Sequence, residues 1–256
     1  MDMTLKARFA DLWKRFFDGA EEPVACWYVN EDEGVESAKP VAPDTHRCFI
    51  ADLGRVRKGK AAKFDADAIG CAGGKRYLGF SAQIRPNFEY FLSYGIPGQM
   101  EGERYKKTPA VVNELMKKMP PFTAPGKYIV FKPWSALVER DEPAVVIFFC
   151  RPDVLSGLFT LSSYDEADPY GVISPFGAGC ATIVHYPYLE AMSDHPRGVL
   201  GMLDVSARPC VPADVVSFSV PMKKFAGMVA NMEEIFLITD SWKKVNRRIA
   251  SALKGK

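Results

Sequence analysis

Short apolar runs rich in β-branched and aromatic residues are the feature that most limits what this chain can fold into. VACWYV after Pro23, then KYIVFKPW and AVVIFFC, have the composition of buried strands, and GVLGMLDV and VVSFSV supply two later candidates. Segments with apolar residues at helical spacing alternate with these runs, beginning with an amphipathic stretch from Leu5 to Phe17. The pattern predicts an α+β fold with a mixed sheet.

The size and composition of the chain favour one folded unit. The chain has 256 residues, of which 48% are hydrophobic, so a single core needs neither a metal nor a disulfide to sustain it. We therefore expect a single globular domain over residues 1–256.

Charge and segment patterns exclude several classes of protein. The net charge of +2 gives no global field that would attract nucleic acid or an anionic membrane surface. The amino-terminal stretch carries Asp2 and Asp11 and lacks the apolar core of a secretory signal, and no window resembles a membrane span. These patterns predict a cytoplasmic protein with reduced thiols and no nucleic-acid or membrane partner.

Two parts of the chain share a faint likeness. A strand, a helix and GCAGG follow one another in the first part, and AVVIFFC, a helix and GAGC do so in the second. This order raises the hypothesis of two related halves in which Cys71 and Cys180 are matching positions.

The stretch GCAGGKRYLGF, residues 70–80, is compatible with an anion site. Glycine allows backbone N–H groups to turn toward an anion, and two basic side chains follow directly. It matches neither common nucleotide-binding glycine motif, and a tight turn explains the same glycines. The residues that would hold a small anionic ligand are Gly70, Gly73, Gly74, Lys75, Arg76 and, in the second turn, Gly179.

The six cysteines divide by context. Cys26 and Cys150 lie inside strand candidates, where a small apolar core residue is expected. The other four lie in polar or glycine-rich turns, and four thiolates suffice for a tetrahedral zinc ion or an iron–sulfur cluster. No C-x-x-C pair occurs among them, and a nucleophilic cysteine of an enzyme remains an alternative. These four are Cys48, Cys71, Cys180 and Cys210.

The histidines add little to these hypotheses. His46 and His185 lie near cysteines in the sequence and could join a metal site or assist a cysteine, although a polar surface or cap position is the simpler interpretation of each. No hydrolase motif is present, so no pattern names a reaction.

The four turn cysteines also carry a family resemblance. The order of CFIADLGRVRKG, GCAGGKRYLGF, GAGCATIV and RPC, followed by VVSFSVPMKKF, resembles the uncharacterised ArCR family, a domain of unknown function, over roughly residues 23–236. The resemblance implies that the family's four cysteines correspond to Cys48, Cys71, Cys180 and Cys210, and it implies no activity.

Three functional hypotheses follow from the sequence. The leading one is a cysteine-lined site for zinc or an iron–sulfur cofactor, used for redox chemistry or sensing with a redox partner. The second is a cofactor-free protein that binds a small anionic molecule at the glycine turns. The third is a cysteine-dependent enzyme.

Overall fold

The computed structural model describes residues 1–31, 34–42 and 45–254. They form a seven-stranded sheet with strand order β2-β5-β1-β6-β9-β8-β7 and a separate two-stranded sheet of β3 and β4. Neighbours in the large sheet are antiparallel except β7 and β8, which are parallel, so the predicted mixed sheet of an α+β fold is confirmed. The strands are β1 Val24–Val29, β2 Ala62–Phe64, β3 Gly95–Ile96, β4 Met100–Glu101, β5 Tyr128–Pro133, β6 Val145–Cys150, β7 Val172–Ile173, β8 Gly198–Gly201 and β9 Val216–Pro221.

The helices cover both faces of the large sheet. Their starts follow local rules: the Thr108 hydroxyl, for example, accepts a hydrogen bond from the Val111 N–H at 3.3 Å, and Pro109 occupies the first turn. The helices are α1 Met3–Phe16, α2 Phe49–Asp52, α3 Gly54–Arg57, α4 Ala72–Tyr77, α5 Phe88–Phe91, α6 Pro109–Lys118, α7 Pro152–Ser162, α8 Tyr186–Ala191, α9 Met222–Asn231 and α10 Asp240–Lys254. Among the described residues, none of these helices is both long and apolar enough to cross a membrane.

Alternation along the strands divides the core into two clusters. Ala25 and Trp27 of β1 face one side, where α1, α7, α9 and α10 pack. Val24 and Cys26 face the other side, which is covered by α2, α3, α4 and a π-helical turn, Ala181–His185, that leads directly into α8. We call this second side the cysteine face, because all four turn cysteines pack there.

The strand order has an approximate two-fold arrangement. From the centre outward, β1, β5 and β2 on one side correspond to β6, β9 and β8 on the other, and each neighbouring pair is antiparallel. Cys48 precedes the helices that lead to β2, and Cys71 follows β2; Cys180 precedes the helix that leads to β8, and Cys210 follows β8.

This arrangement corrects the sequence-based matching of the halves. The sequence matched Cys71 with Cys180 because glycine accompanies both. Strand pairing instead matches Cys48 with Cys180 and Cys71 with Cys210. The glycine likeness misled because equivalence between halves is decided by which strands pair, and short turn motifs do not encode long-range pairing.

Candidate cysteine site

Each of the four turn cysteines lies at one end of a short helical segment on the cysteine face. Cys48 and Cys71 have extended backbone and directly precede α2 and α4. Cys180 precedes the π-helical turn, and Cys210 ends a 3-10 turn, Arg208–Cys210. Because four separate segments supply these thiols, no short spacing motif could have revealed their meeting.

Close backbone packing brings the cysteine-bearing turns together. The Arg47 N–H donates to the Gly70 carbonyl at 3.3 Å, and a Cβ added at Gly70 would lie 3.0 Å from the Arg47 Cβ. A Cβ at Gly179 would lie 2.7 Å from the Met202 Sδ and 3.2 Å from the Ile50 Cγ1. The absence of a side chain at these glycines therefore favours the close approach of the segments that carry the cysteines.

The four thiols interact with one another. Interaction with the Cys48 thiol raises the pKa of Cys210, and charge repulsion from Cys48 also raises the pKa of Cys71. Cys180 lies within the same electrostatic range of both Cys71 and Cys48. The structure thus brings all four sequence-predicted cysteines into one cluster, which we call the four-cysteine site.

Backbone groups act on the sulfur atoms of this site. The Gly74 N–H donates to the Cys71 Sγ at 3.2 Å. The backbone of Phe49 also acts to lower the pKa of Cys71, and the backbone of Ala51, whose N–H donates to the Cys48 carbonyl at 3.0 Å, acts to lower the pKa of Cys210. A hydrogen bond to sulfur favours negative charge on it, as a bound thiolate requires.

Burial nevertheless opposes ionisation of three of these thiols, those of Cys71, Cys180 and Cys210. It is the largest cause of the raised pKa of Cys71 and of Cys180. The pKa of Cys210 rises to about 11, first through burial and then through its interaction with Cys48. An activated cysteine nucleophile needs a lowered pKa, so these raised values do not favour a cysteine-dependent enzyme.

The side chains as placed do not surround a single ion. Within the described ranges, no group of three or more cysteine, histidine or acidic residues has an arrangement that could hold a metal ion. Tetrahedral zinc, with Zn–S bonds of about 2.3 Å, would hold its sulfur atoms about 3.8 Å apart. The four-cysteine site is therefore a cluster of free thiols whose spacing is not that of a preformed zinc site.

The remaining cysteines are core residues, as the sequence predicts. Cys26 is fully buried in β1, and Cys150 is 5% exposed at the end of β6. Cys150 packs in the cluster on the opposite side of the sheet. Both therefore lie in the strand core, and Cys150 is separated from the four-cysteine site by the sheet itself.

Three of the groups proposed for an anion site have partners within the chain. The Gly74 N–H is directed at Cys71, and the Gly179 N–H donates to Asp204 Oδ2 at 3.3 Å. The Arg76 guanidinium donates to the Ala82 carbonyl at 2.8 Å. Anion binding at these turns stays a prediction that these contacts do not favour. The residues predicted to form this anion site are Gly70, Gly73, Gly74, Lys75, Arg76 and Gly179.

His185 is a feature that the sequence interpretation missed. The predicted surface position is wrong because His185 is only 3% exposed. His185 does stand at the N-cap of α8, but its side chain makes no cap hydrogen bond. Its ring stacks on Phe122 at 5.2 Å and on Tyr186 at 5.1 Å between ring centroids. Neither ring nitrogen makes a hydrogen bond of normal geometry among the described residues, and burial lowers the pKa of His185 while the Pro120 carbonyl offsets part of this effect.

The fold and the site together define a class of protein: an α+β domain whose sheet carries four clustered cysteines on one face. The chain belongs to the DUF169 family, described as uncharacterised ArCR, whose family model matches residues 15–231. The family resemblance predicted from the four cysteine-bearing segments is thereby confirmed. No curated protein matches the chain, and no solved structure matches it.

Proposed function

We propose that the four-cysteine site binds an iron–sulfur cluster that serves redox chemistry or sensing. The observation that carries this proposal is the meeting of four thiols from four separate segments on one face of the sheet. Four cysteine thiolates are the usual ligand set of such clusters. Core packing alone would not require four cysteines to converge, since any small apolar residue fills such positions.

The arrangement of the thiols does not suit a single zinc ion, because no group of three or more candidate ligands among the described residues could hold one metal ion. A four-iron, four-sulfur cluster bonds each of its four cysteines to a different iron atom, so its cysteine sulfur atoms lie further apart than those around one zinc ion. Such a cluster does not require the compact arrangement that is lacking here.

The surroundings of the sulfur atoms also suit a cluster. The Gly74 N–H is directed at the Cys71 thiol, and hydrogen bonds to sulfur are among the contacts that set a cluster's reduction potential. Cys180 is buried, whereas Cys48 and Cys210 are partly exposed. A cluster held there would have one side within reach of a redox partner.

The experiment that tests the proposal is purification without oxygen, followed by measurement of iron, sulfide and zinc and by a visible spectrum. We expect about four irons per chain and a broad absorption in the blue. Alanine variants of Cys48 and Cys180 should lose most of the iron. Cys150→Ala is the matched control, because this cysteine is as buried as Cys180 but lies across the sheet.

Two results would contradict the proposal. One is the absence of bound iron both after anaerobic purification and after reconstitution with iron and sulfide. The other is an equal loss of iron in the Cys150→Ala control and in the site variants. If the first result came with one zinc per chain, the four cysteines would be ligands of a single ion.

A further inference from the structure

One buried hydroxyl joins the segments that carry Cys180 and Cys210. Thr182 lies in the π-helical turn that follows Cys180 and is only 2% exposed. Its hydroxyl donates to the Gly179 carbonyl at 2.9 Å and accepts a hydrogen bond from the Met202 N–H at 3.3 Å. Because Met202 directly follows β8 on the way to Cys210, this hydroxyl links parts of the chain that are 20 residues apart.

The hydroxyl of Thr182 fixes the peptide group that leads into Cys180. The carbonyl that it binds belongs to the peptide bond between Gly179 and Cys180. The Gly179 N–H, on the other side of the same residue, donates to Asp204 Oδ2 at 3.3 Å. These two hydrogen bonds together set the direction in which the chain enters Cys180.

Met202 connects this arrangement to the turn that carries Cys210. Its backbone is left-handed, with φ of 60°, a conformation that persists for a residue with a side chain only where the surroundings hold it. Thr182 accepts a hydrogen bond from its N–H, and Arg208 Nη1 donates to its carbonyl at 3.2 Å. Since Arg208 begins the 3-10 turn that ends at Cys210, Met202 is held from both cysteine-bearing turns.

We propose that Thr182 is a positioning residue of the four-cysteine site, whose hydroxyl holds the Cys180 and Cys210 turns in one arrangement. Packing alone would be served equally by valine, which has nearly the same shape. Valine would, however, take away a hydrogen-bond partner from the Gly179 carbonyl and from the buried Met202 N–H. As a statement about cofactor binding, the inference rests on the proposed function, whereas the placing of the Cys180 thiol requires only the chain.

Three variants of the full chain test this role. Thr182→Val removes the hydroxyl, and Thr182→Ser restores it without the methyl group. Ser162→Ala is the matched control, because Ser162 is 1% exposed and its hydroxyl donates at 2.9 Å to the Phe159 carbonyl of the same helix, α7, on the opposite side of the sheet.

The first measurement is the rate at which iodoacetamide alkylates each cysteine of the folded, metal-free protein, resolved by tandem mass spectrometry. Thr182→Val should alkylate several-fold faster at Cys180, with unchanged rates at the buried Cys26 and Cys150. The second measurement is iron content with the visible and electron paramagnetic resonance spectra after anaerobic purification. Thr182→Val should lose iron or change the spectra, and Thr182→Ser should match the unmodified protein in both measurements.

The outcomes separate this inference from the proposed function. Faster alkylation confined to Cys180, in a chain that never takes up iron, supports the placing of the thiol and overturns the cluster. Full iron content with unchanged spectra in Thr182→Val overturns the role in the site and leaves the cluster standing. An unchanged rate at Cys180 also overturns the role. So does an equal increase at Cys26 and Cys150, or in Ser162→Ala, because it would report only a loss of global stability.

Discussion

Replacing Gly74 by alanine should displace the Cys71 thiol, whereas the same change at Gly73 should not. A Cβ added at Gly74 would lie 2.8 Å from the Cys71 Sγ and 2.8 Å from the Ile69 Cγ2. Ile69 is buried and β-branched, so it cannot turn aside easily. The overlap with the new Cβ must therefore be removed by rotation of the Cys71 side chain away from the site.

The expected energies differ in sign for the two glycines. Overpacking of a core typically costs about 1–3 kcal/mol, and the gain from replacing a helical glycine by alanine is about 0.5–1 kcal/mol. Gly74→Ala should thus lower the free energy of unfolding by about 1 kcal/mol. A Cβ at Gly73 meets only the Tyr77 Cε2 at 4.0 Å, so Gly73→Ala should raise the free energy of unfolding by about 0.5–1 kcal/mol.

Urea unfolding of the metal-free variants measures these free energies, and iron content after anaerobic purification reports the position of the thiol. We expect Gly74→Ala to lose iron and Gly73→Ala to retain it. Equal stabilities of the two variants would refute the overlap argument. A destabilised Gly74→Ala protein with full iron content would show that the contact does not position Cys71 for binding.

Three further predictions concern buried or multiply bonded polar groups. Because burial lowers the pKa of His185, the unfolded chain takes up a proton at this residue before the folded chain does as the pH falls. The free energy of unfolding should therefore decrease by up to about 1.4 kcal/mol per pH unit below about pH 6.5, until the pH reaches the pKa of His185 in the folded chain. Urea unfolding of H185F should lack this component. Lys132 forms a buried ion pair with Asp141 at 2.7 Å, so K132M should lose about 3–5 kcal/mol in urea unfolding, much of which K132M/D141L should recover. The guanidinium of Arg208 donates to four backbone carbonyls around the turn that ends at Cys210, so R208K should lose about 1–3 kcal/mol and reduce iron content.

Each of these predictions has a result that would contradict it. The same pH dependence in H185F and the unmodified protein would exclude His185 as the source. A double variant no more stable than K132M would show that an unpaired Asp141 is not what destabilises the single variant. Full iron content in R208K would show that the Cys210 turn keeps its shape without the guanidinium.

The sequence was informative where structure depends on neighbours in the chain. The buried strand predicted from VACWYV is observed as β1, and the two-residue period of a strand puts Val24 and Cys26 on one face of the sheet and Ala25 and Trp27 on the other. The threonine and proline at the start of α6 likewise marked a helix start correctly. These features rest on backbone geometry and side-chain period, which are local.

The sequence was less informative where a residue's role depends on what packs against it. The glycines at 70 and 179 read equally well as an anion cradle, yet the absence of a side chain at both favours the close approach of other segments. His185 looked polar and exposed, but a π-helical turn places it between two aromatic rings. Neither spacing nor composition encodes that contact.

Taken alone, the sequence determined the mixed α+β class, the family and which cysteines lie in turns rather than strands. Only the tertiary structure decided that the four turn cysteines meet, and which cysteines correspond between the two sides of the sheet. The reason is that β1 and β6 pair at the centre and fix the positions of every later connection. Strand pairing over long sequence separation, which no local pattern specifies, therefore creates the four-cysteine site.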